Sequence, residues 1–427
     1  MTELRPFLES LFRTAVAAAH PGTFLPPLLP VPKGRVILLA AGKAAGSMAE
    51  TAENHYLDTL GLPAKRLTGV AVARHGYGRP TRLVTMIEAG HPVPDEAGLK
   101  GAARALELAS GAGAGDLVLV LMSGGASANW IAPADGVSFA DKQAVTRALL
   151  RSGAHIGEIN TVRKHLSRIK GGRLAKRAAP AEVITIAISD VPGDDPSAIG
   201  SGPTVPDPTT LDDALAIVAK YDLDLPASIM HALNDAANES PKPGDPAFAN
   251  ARFVLAARPR DALEAAEKAV IAAGYECISL GPDVEGEARE VAATHAAVAR
   301  ELRAQRKRAV IISGGELTVT MRGQGRGGPN QEYALGLVDQ LAGLDNVAAI
   351  AGDTDGTDGG GGAATDPAGA LVDGHSAARA KALGLDPAAF LADNNSTEFF
   401  ARLGDLLEPG PTFTNVNDFR AIVVDTP

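Results

Sequence analysis

Cysteine is nearly absent: Cys277 stands alone in 427 residues. No disulfide can close within the chain, and such usage fits a reducing compartment. Aromatic residues are scarce at 4%, with one tryptophan, so a core has to be assembled from Ala, Val, Leu and Ile. Long apolar runs are missing too. None approaches the roughly 20 residues that span a bilayer. Glu3, Arg5 and Glu9 interrupt the amphipathic pattern of residues 3–19, where a secretion signal would carry an unbroken apolar stretch. A surplus of positive charge is also lacking. The formal net charge is −10, against the basic balance of a nucleic-acid binder. The expectation is a cytoplasmic protein, monomer or homodimer, whose partner is a small molecule and neither nucleic acid nor membrane.

What is abundant is small and apolar: 45% of residues are hydrophobic and 47 are glycine. Five short apolar runs, 36–40, 117–121, 183–188, 309–312 and 347–350, each end in a small-residue loop that carries polar groups. Runs of this length read as strands buried on both faces. They alternate with helix patterns at 44–60, 96–110, 139–152, 159–178, 260–273 and 285–303, which predicts an α/β fold with parallel or mixed sheets. The segment Glu239-Ser-Pro-Lys-Pro-Gly-Asp-Pro246 has three prolines and a glycine with little to bury, and reads as a linker. The expected arrangement is two lobes, residues 1–238 and 247–427, with the helix at 3–19 free to pack on the other lobe. The ligand site is expected in the cleft at the strand ends, where open α/β sheets bind.

The loop Ala40-Ala-Gly-Lys43-Ala-Ala-Gly46 puts a lysine at a helix start directly after a strand. A helix N-terminus favours anions, and the ammonium adds mobile charge. It is not a P-loop, because Ala44 replaces the hydroxyl that would hold Mg²⁺. Further on, seven basic residues fall in the fifteen positions from Arg163 to Arg177. Read as one helix capped by Asn160 or Thr161, this segment cannot expose Lys164, Arg168 and Lys170 equally. Its early members, Arg163 and Lys164, are the better candidates to hold a phosphate or carboxylate.

Gly323-Gln-Gly325-Arg326-Gly-Gly328 spells G-x-G-x-x-G. The ribose-binding acid that a dinucleotide fingerprint needs about 20 residues on is missing, and Arg326 would crowd a pyrophosphate. Arg326 serves better as a clamp on a transferring phosphoryl group. Two acidic loops, one with Asp190, Asp194 and Asp195 and one with Asp353, Asp355 and Asp358, suit Mg²⁺ with its oxygen ligands; turn chemistry explains either loop taken singly. Ser123-Gly-Gly-Ala-Ser127 lacks the spelling of a nucleophile elbow and reads as a cradle of N–H and hydroxyl groups. His91 can orient a substrate carboxylate or hydroxyl, or cap a turn.

Taken in order, these stretches resemble the class II glycerate kinases, which carry a C-terminal module called MOFRL. The resemblance is carried by Ala40-Ala-Gly-Lys43, Glu88-Ala-Gly-His-Pro-Val-Pro-Asp95, Met122-Ser-Gly-Gly-Ala-Ser127, Ile159-Asn-Thr-Val-Arg-Lys-His-Leu-Ser167 and Ser189-Asp-Val-Pro-Gly-Asp-Asp195. It continues through Gly200-Ser-Gly-Pro-Thr204, Ser313-Gly-Gly-Glu316, Gly327-Gly-Pro-Asn-Gln-Glu332, Asp353-Thr-Asp-Gly356, Asp393-Asn-Asn-Ser396 and Thr414-Asn-Val-Asn-Asp418. Two departures stand out. Phe413 occupies a position where the family pattern carries glycine, and Gly359 to Ala364 is unusually glycine-rich.

The resemblance implies a Rossmann-like N-terminal lobe, a second α/β lobe, and phosphorylation of D-glycerate at its 2-hydroxyl with ATP and Mg²⁺. It implies catalytic roles for Lys43 and Arg326. Relatives are often labelled hydroxypyruvate reductase, so an NAD(P)H-dependent reductase is the alternative, and a non-catalytic binder of sugar acids or nucleotides is a third. On the kinase reading, substrate is expected at Ser123, Gly124, Ser127, Arg163, Lys164 and His91. ATP is expected along Gly314, Gly315, Glu316, Gly325, Asn330, Asp355 and Asn417. The metal is expected at Asp190 or Asp353, with Asp190 also the candidate base.

Overall fold

Residues 4–426 are described by a computed structural model. They form two units: a central one, residues 25–256, and a terminal one that joins the chain through Phe24 with Ala257 onward. The central unit is built on β1 (Val36–Ala41), β2 (Leu67–Arg74), β3 (Val84–Ala89), β4 (Leu117–Met122), β5 (Glu182–Ile188) and β6 (Ala251–Ala257), in the order β3-β2-β1-β4-β5-β6. Pairing is parallel from β3 through β5. This is the strand order of a doubly wound dinucleotide-type sheet, whose direction of winding reverses between β1 and β4. Both of those strands are buried along their whole length. On one face Ile37, Leu39, Val70, Val72, Val118 and Val120 alternate inward against Ala102, Ala105 and Leu106 of helix Glu96–Ser110. A separate helical cluster, with Val145, Leu149, Val162, Val218 and Leu233 at its centre, carries the basic segment.

The terminal unit has β7 (Glu276–Ser279), β8 (Gly286–Glu287), β9 (Arg308–Ser313), β10 (Leu317–Thr318), β11 (Val347–Asp353), β12 (Gly369–Asp373), β13 (Leu406–Leu407) and β14 (Asp418–Asp425). Its sheet runs β13-β12-β11-β14-β9-β7. β9 and β11 both pair antiparallel with β14, so they point the same way and release their loops at one edge. Helices Ala288–Ala304 and Pro329–Gln340 share a core with Ile311, Ala349, Val372 and Ile422. The N-terminal helix Leu4–Ala18 belongs to this unit, with Phe12 edge-on to Phe419 at 6.4 Å. Residue 3, where the sequence pattern starts that helix, lies outside the described residues. Among the described residues no helix is long and apolar enough to cross a membrane.

Two departures from the sequence reading bear on the site. Residues 159–178 are not one helix. Helix Ile156–His165 starts at His155, whose N–H bonds Glu158, so Asn160 and Thr161 lie inside it rather than capping it. It stops, and a second helix Arg173–Ala178 begins after Gly171 and Gly172, at φ 57° and 78°, conformations that side-chain-bearing residues avoid. The segment 239–246 is not a linker either. Ser240 and Pro241 are buried, Asp207 N–H bonds Pro241 O at 2.9 Å, and the division between units falls after Ala256.

Candidate active site

The two loops at the point where the central sheet reverses are joined to each other. Lys43 N–H donates to Gly124 O at 2.8 Å, and Ala44 N–H donates to the Ser123 hydroxyl at 2.9 Å. Ser123 is completely buried, so its hydroxyl caps the turn into helix Ala45–Asn54 rather than facing a ligand. Gly42, at φ 117°, permits the approach: a Cβ there would lie 2.4 Å from the Ser123 hydroxyl oxygen. Gly125 is the other close point. A Cβ on it would meet the His91 ring at 2.8 Å and the Lys43 side chain at 3.5 Å. The fold therefore brings Lys43, His91 and the 123–127 loop together, as the sequence pattern implied. It uses Ser123 and Gly124 as scaffold.

Beside them lies a cluster of buried cations. The hydroxyl of Ser127 accepts from Arg163 at 3.0 Å and from Lys170 at 2.8 Å, and pairs with Ser201 at 2.8 Å. Lys170 also donates to Ser127 O at 2.8 Å, and Lys142 donates to Arg163 O at 3.0 Å. Lys142 and Lys170 are buried, and the Arg163 Nε is buried with no partner. Burial drives the Lys142 ammonium well below the usual lysine range, helped by Arg163 and Arg173; burial, then Arg163 and Lys142, does the same to Lys170. Burial also lowers the Arg163 guanidinium. Buried charges of one sign are strongly unfavourable unless paired. A bound anion would offset that cost.

Lys164, expected to be a ligand, is not part of this group. It is buried against Asp207 at 3.4 Å, already neutralised. Arg168 is exposed. Lys170 and Lys142 are the residues that the sequence reading missed. The signal for Lys170 was the Gly171-Gly172 pair, which marks the irregular segment between helices Ile156–His165 and Arg173–Ala178.

In the terminal unit the glycine-rich loop is strapped down. The N–H groups of Arg322 and Gly323 donate to Asn394 Oδ1, that of Gln324 to Asp393 Oδ1, that of Gly325 to Asp393 O at 2.9 Å, and that of Arg326 to Asn395 Oδ1. Gly323 and Gly325 admit this contact, since a Cβ on either would lie 2.3–2.4 Å from residues 393 or 395. The loop's N–H groups are thus committed to protein, which removes the dinucleotide fingerprint that its spelling suggested. What it presents is the Arg326 guanidinium, 70% exposed and 3.5 Å from Asp366.

The acids here hold backbone. Asp358 accepts from the N–H groups of Asn330 and Gln331 at 3.0 and 2.8 Å, capping helix Pro329–Gln340. Asn330 is buried and donates to both Asp358 and Asp418; Arg420 donates to Asp418 and Ser313. Burial, with Asp418 adding its charge, raises Asp358 to about 7. Asp355, also buried, accepts from Thr357 N–H and hydroxyl, and Asn417 O accepts from Thr354. Gly314 and Gly315 are buried, with Gly315 against Val284, while Glu316 is exposed. Phe413 has a left-handed backbone, φ 60°, which favours glycine. In the central unit Asp195 accepts from Ser197 N–H and hydroxyl at 2.8 Å. Turn chemistry accounts for Asp195, Asp353, Asp355 and Asp358, with Asp353 accepting from Asp355 N–H at 2.8 Å. Asp190 and Asp353 are half-buried carboxylates at strand ends.

Among the described residues no three His, Cys, Asp or Glu side chains gather into a cation cage. Mg²⁺ held with phosphates needs only one or two carboxylates, so Asp190 and Asp353 remain fitting donors.

A doubly wound sheet with a cationic cluster beside its reversal point defines an α/β enzyme that handles small anions. Comparison with known proteins narrows this. Residues 7–234 match a domain of unknown function, DUF4147, and residues 309–418 match the MOFRL family. A protein of Agrobacterium vitis provisionally named a hydroxypyruvate reductase is 46% identical, covering 98% of this chain and 94% of its own. The D-glycerate 2-kinase of Thermotoga maritima is 39% identical over 97% of both chains. A crystal structure of glycerate kinase from Thermotoga maritima superposes with a TM-score of 0.88 at 38% identity, covering 99% of this chain and 100% of that one. The chain belongs to the MOFRL-containing glycerate kinase family, and it is a kinase acting on a small molecule.

Proposed function

We propose that the protein transfers the γ-phosphoryl group of ATP to the 2-hydroxyl of D-glycerate, giving 2-phosphoglycerate. The observation that carries this reading is the acid-free cluster of Lys142, Arg163 and Lys170 around Ser127. A substrate carboxylate would supply the missing negative charge there. The 2-hydroxyl sits on the carbon that bears the carboxylate, so anchoring the carboxylate positions that hydroxyl more tightly than the 3-hydroxyl.

Lys43 and Arg326 neutralise the charge that develops during transfer, as preorganised donors do. His91, packed with Lys43 over Gly125, orients the acceptor end of glycerate. Asp190 takes the proton of the 2-hydroxyl. ATP would supply the phosphoryl group and leave as ADP; Asp190 or Asp353 would hold Mg²⁺, which would offset the phosphate charge.

The test is a coupled assay with D-glycerate, ATP, Mg²⁺, enolase and pyruvate kinase, without phosphoglycerate mutase. Signal without mutase is the expected result. Signal only after mutase is added makes the product the 3-phosphate and overturns the acceptor geometry. Silence in both, with active controls, turns attention to NADH oxidation with hydroxypyruvate.

A further inference from the structure

The terminal unit contains a cavity of about 620 Å³ bordered by Leu317, Val319, Met321, Arg326, Gly361 and Glu332. That size falls in the range of small-molecule sites, ~300–1,000 Å³, and is large for a three-carbon acid. One wall is the glycine loop, fixed from below by residues 393–395. A wall fixed before binding loses little freedom when a ligand arrives. The adjoining part of the lining is the 359–361 strip. Gly359 lies flush against the loop, since a Cβ on it would be 2.1 Å from Gly327 O.

The chemistry of the lining is selective. Met321 is 65% exposed although large and apolar, and a thioether makes favourable contacts with aromatic rings. Glu332 is buried and compensated by Arg289 and by Asn394 at 3.0 Å, so it adds no free charge to the lining. The start of helix Pro329–Gln340 offers no phosphate site, because Asp358 already accepts from Asn330 and Gln331 N–H. The cation available at the rim is Arg326.

We infer that this cavity takes the purine base of the nucleotide, stacked against Met321 and Val319 between glycine backbone walls, with Arg326 facing the phosphates. The inference rests on the kinase reading above and adds the place of the donor. It puts the base in the terminal unit, while the glycerate carboxylate belongs to the central unit's cations.

Two variants test it. Met321→Glu sets a carboxylate at the mouth. Gly361→Val adds bulk where a Cβ meets nothing within 4 Å, so the backbone tolerates it. ADP is titrated calorimetrically into wild type and both variants, and KM is measured for ATP and for D-glycerate. The expected result is weaker ADP binding and a KM for ATP raised about tenfold in Met321→Glu and about threefold in Gly361→Val, with the KM for D-glycerate within about twofold. Unchanged ADP affinity in both folded variants overturns the assignment, as does a rise in the glycerate KM in place of the ATP KM. Wild type that binds ADP through this cavity without phosphorylating glycerate would retain the assignment and remove the kinase reading. Glycerate kinase activity with unaltered ATP dependence in both variants would do the reverse.

Discussion

The two sets of glycine-rich loops look alike as sequence and are built in opposite ways. In the terminal unit the buried carboxylates named above meet protein partners: Asp358 caps a helix, Asp355 closes a turn, and Asp418 meets the side chains of Asn330 and Arg420. In the central unit Lys142, Arg163 and Lys170 meet carbonyls and hydroxyls, and among the described residues no acid pairs with them. The first arrangement completes its hydrogen bonding within the protein and makes a rigid frame. The second stays electrostatically incomplete, the state expected of a site awaiting an anion. Residue type and loop composition do not separate frame from site; the partners do.

The largest effects should come from the groups assigned to the transferring phosphoryl. Lys43→Ala or Arg326→Ala should lower kcat by about 100-fold or more, as loss of a preorganised donor does. Arg326 is exposed, so its variant should keep the wild-type Tm. Near-normal turnover in either variant removes that residue from the mechanism.

The contrast between Lys164 and Lys170 comes next, read in thermal unfolding. Lys164→Met removes the buried ion-pair partner of Asp207, leaving it the Thr209 hydrogen bonds, and should lower stability by about 2–3 kcal/mol. Lys170→Met removes a buried cation that has no acid partner, so its Tm should hold or rise. Equal destabilisation by both would erase the distinction between frame and site.

That distinction shows where sequence reading stops. The strands were legible because β1, β4, β5, β9 and β11 are apolar runs with helical patterns between them. Lys43, His91, Ser127 and Arg163 were legible from their place after strands and in the basic segment. Lys170 was not, because a 3.6-residue period carried past residue 165 hides the end of that helix and the irregular segment up to Gly172. Lys164 and Lys170 look equivalent until Asp207, far away in sequence, is placed beside one of them. The acids misled for the same reason: Asp355 and Asp358 resemble metal ligands until Thr357, Asn330 and Gln331 are seen to hold them.

Asp190→Asn should reduce turnover by about tenfold or more with Tm unchanged, as removal of a proton acceptor does. A shift in Tm with turnover retained would make Asp190 part of the frame. The smallest effect concerns Asp358. Its native pKa stands at about 7 against an ordinary 3.8, so the native state binds the proton more tightly than the unfolded one. Its contribution is therefore complete below about pH 4 and is lost as pH rises through about 7. The stability difference between wild type and Asp358→Asn, followed by chemical denaturation, should fall across that window and flatten above it. A difference independent of pH would contradict the raised pKa that burial and Asp418 impose on Asp358.

The most direct measurement is calorimetric titration of D-glycerate into wild type and Lys170→Met, with Tm recorded for both. The cation cluster as carboxylate site predicts affinity reduced by about tenfold or more in the variant, at a Tm no lower than wild type. Equal affinity in the two proteins would show that the buried cations serve the fold and that glycerate is held elsewhere.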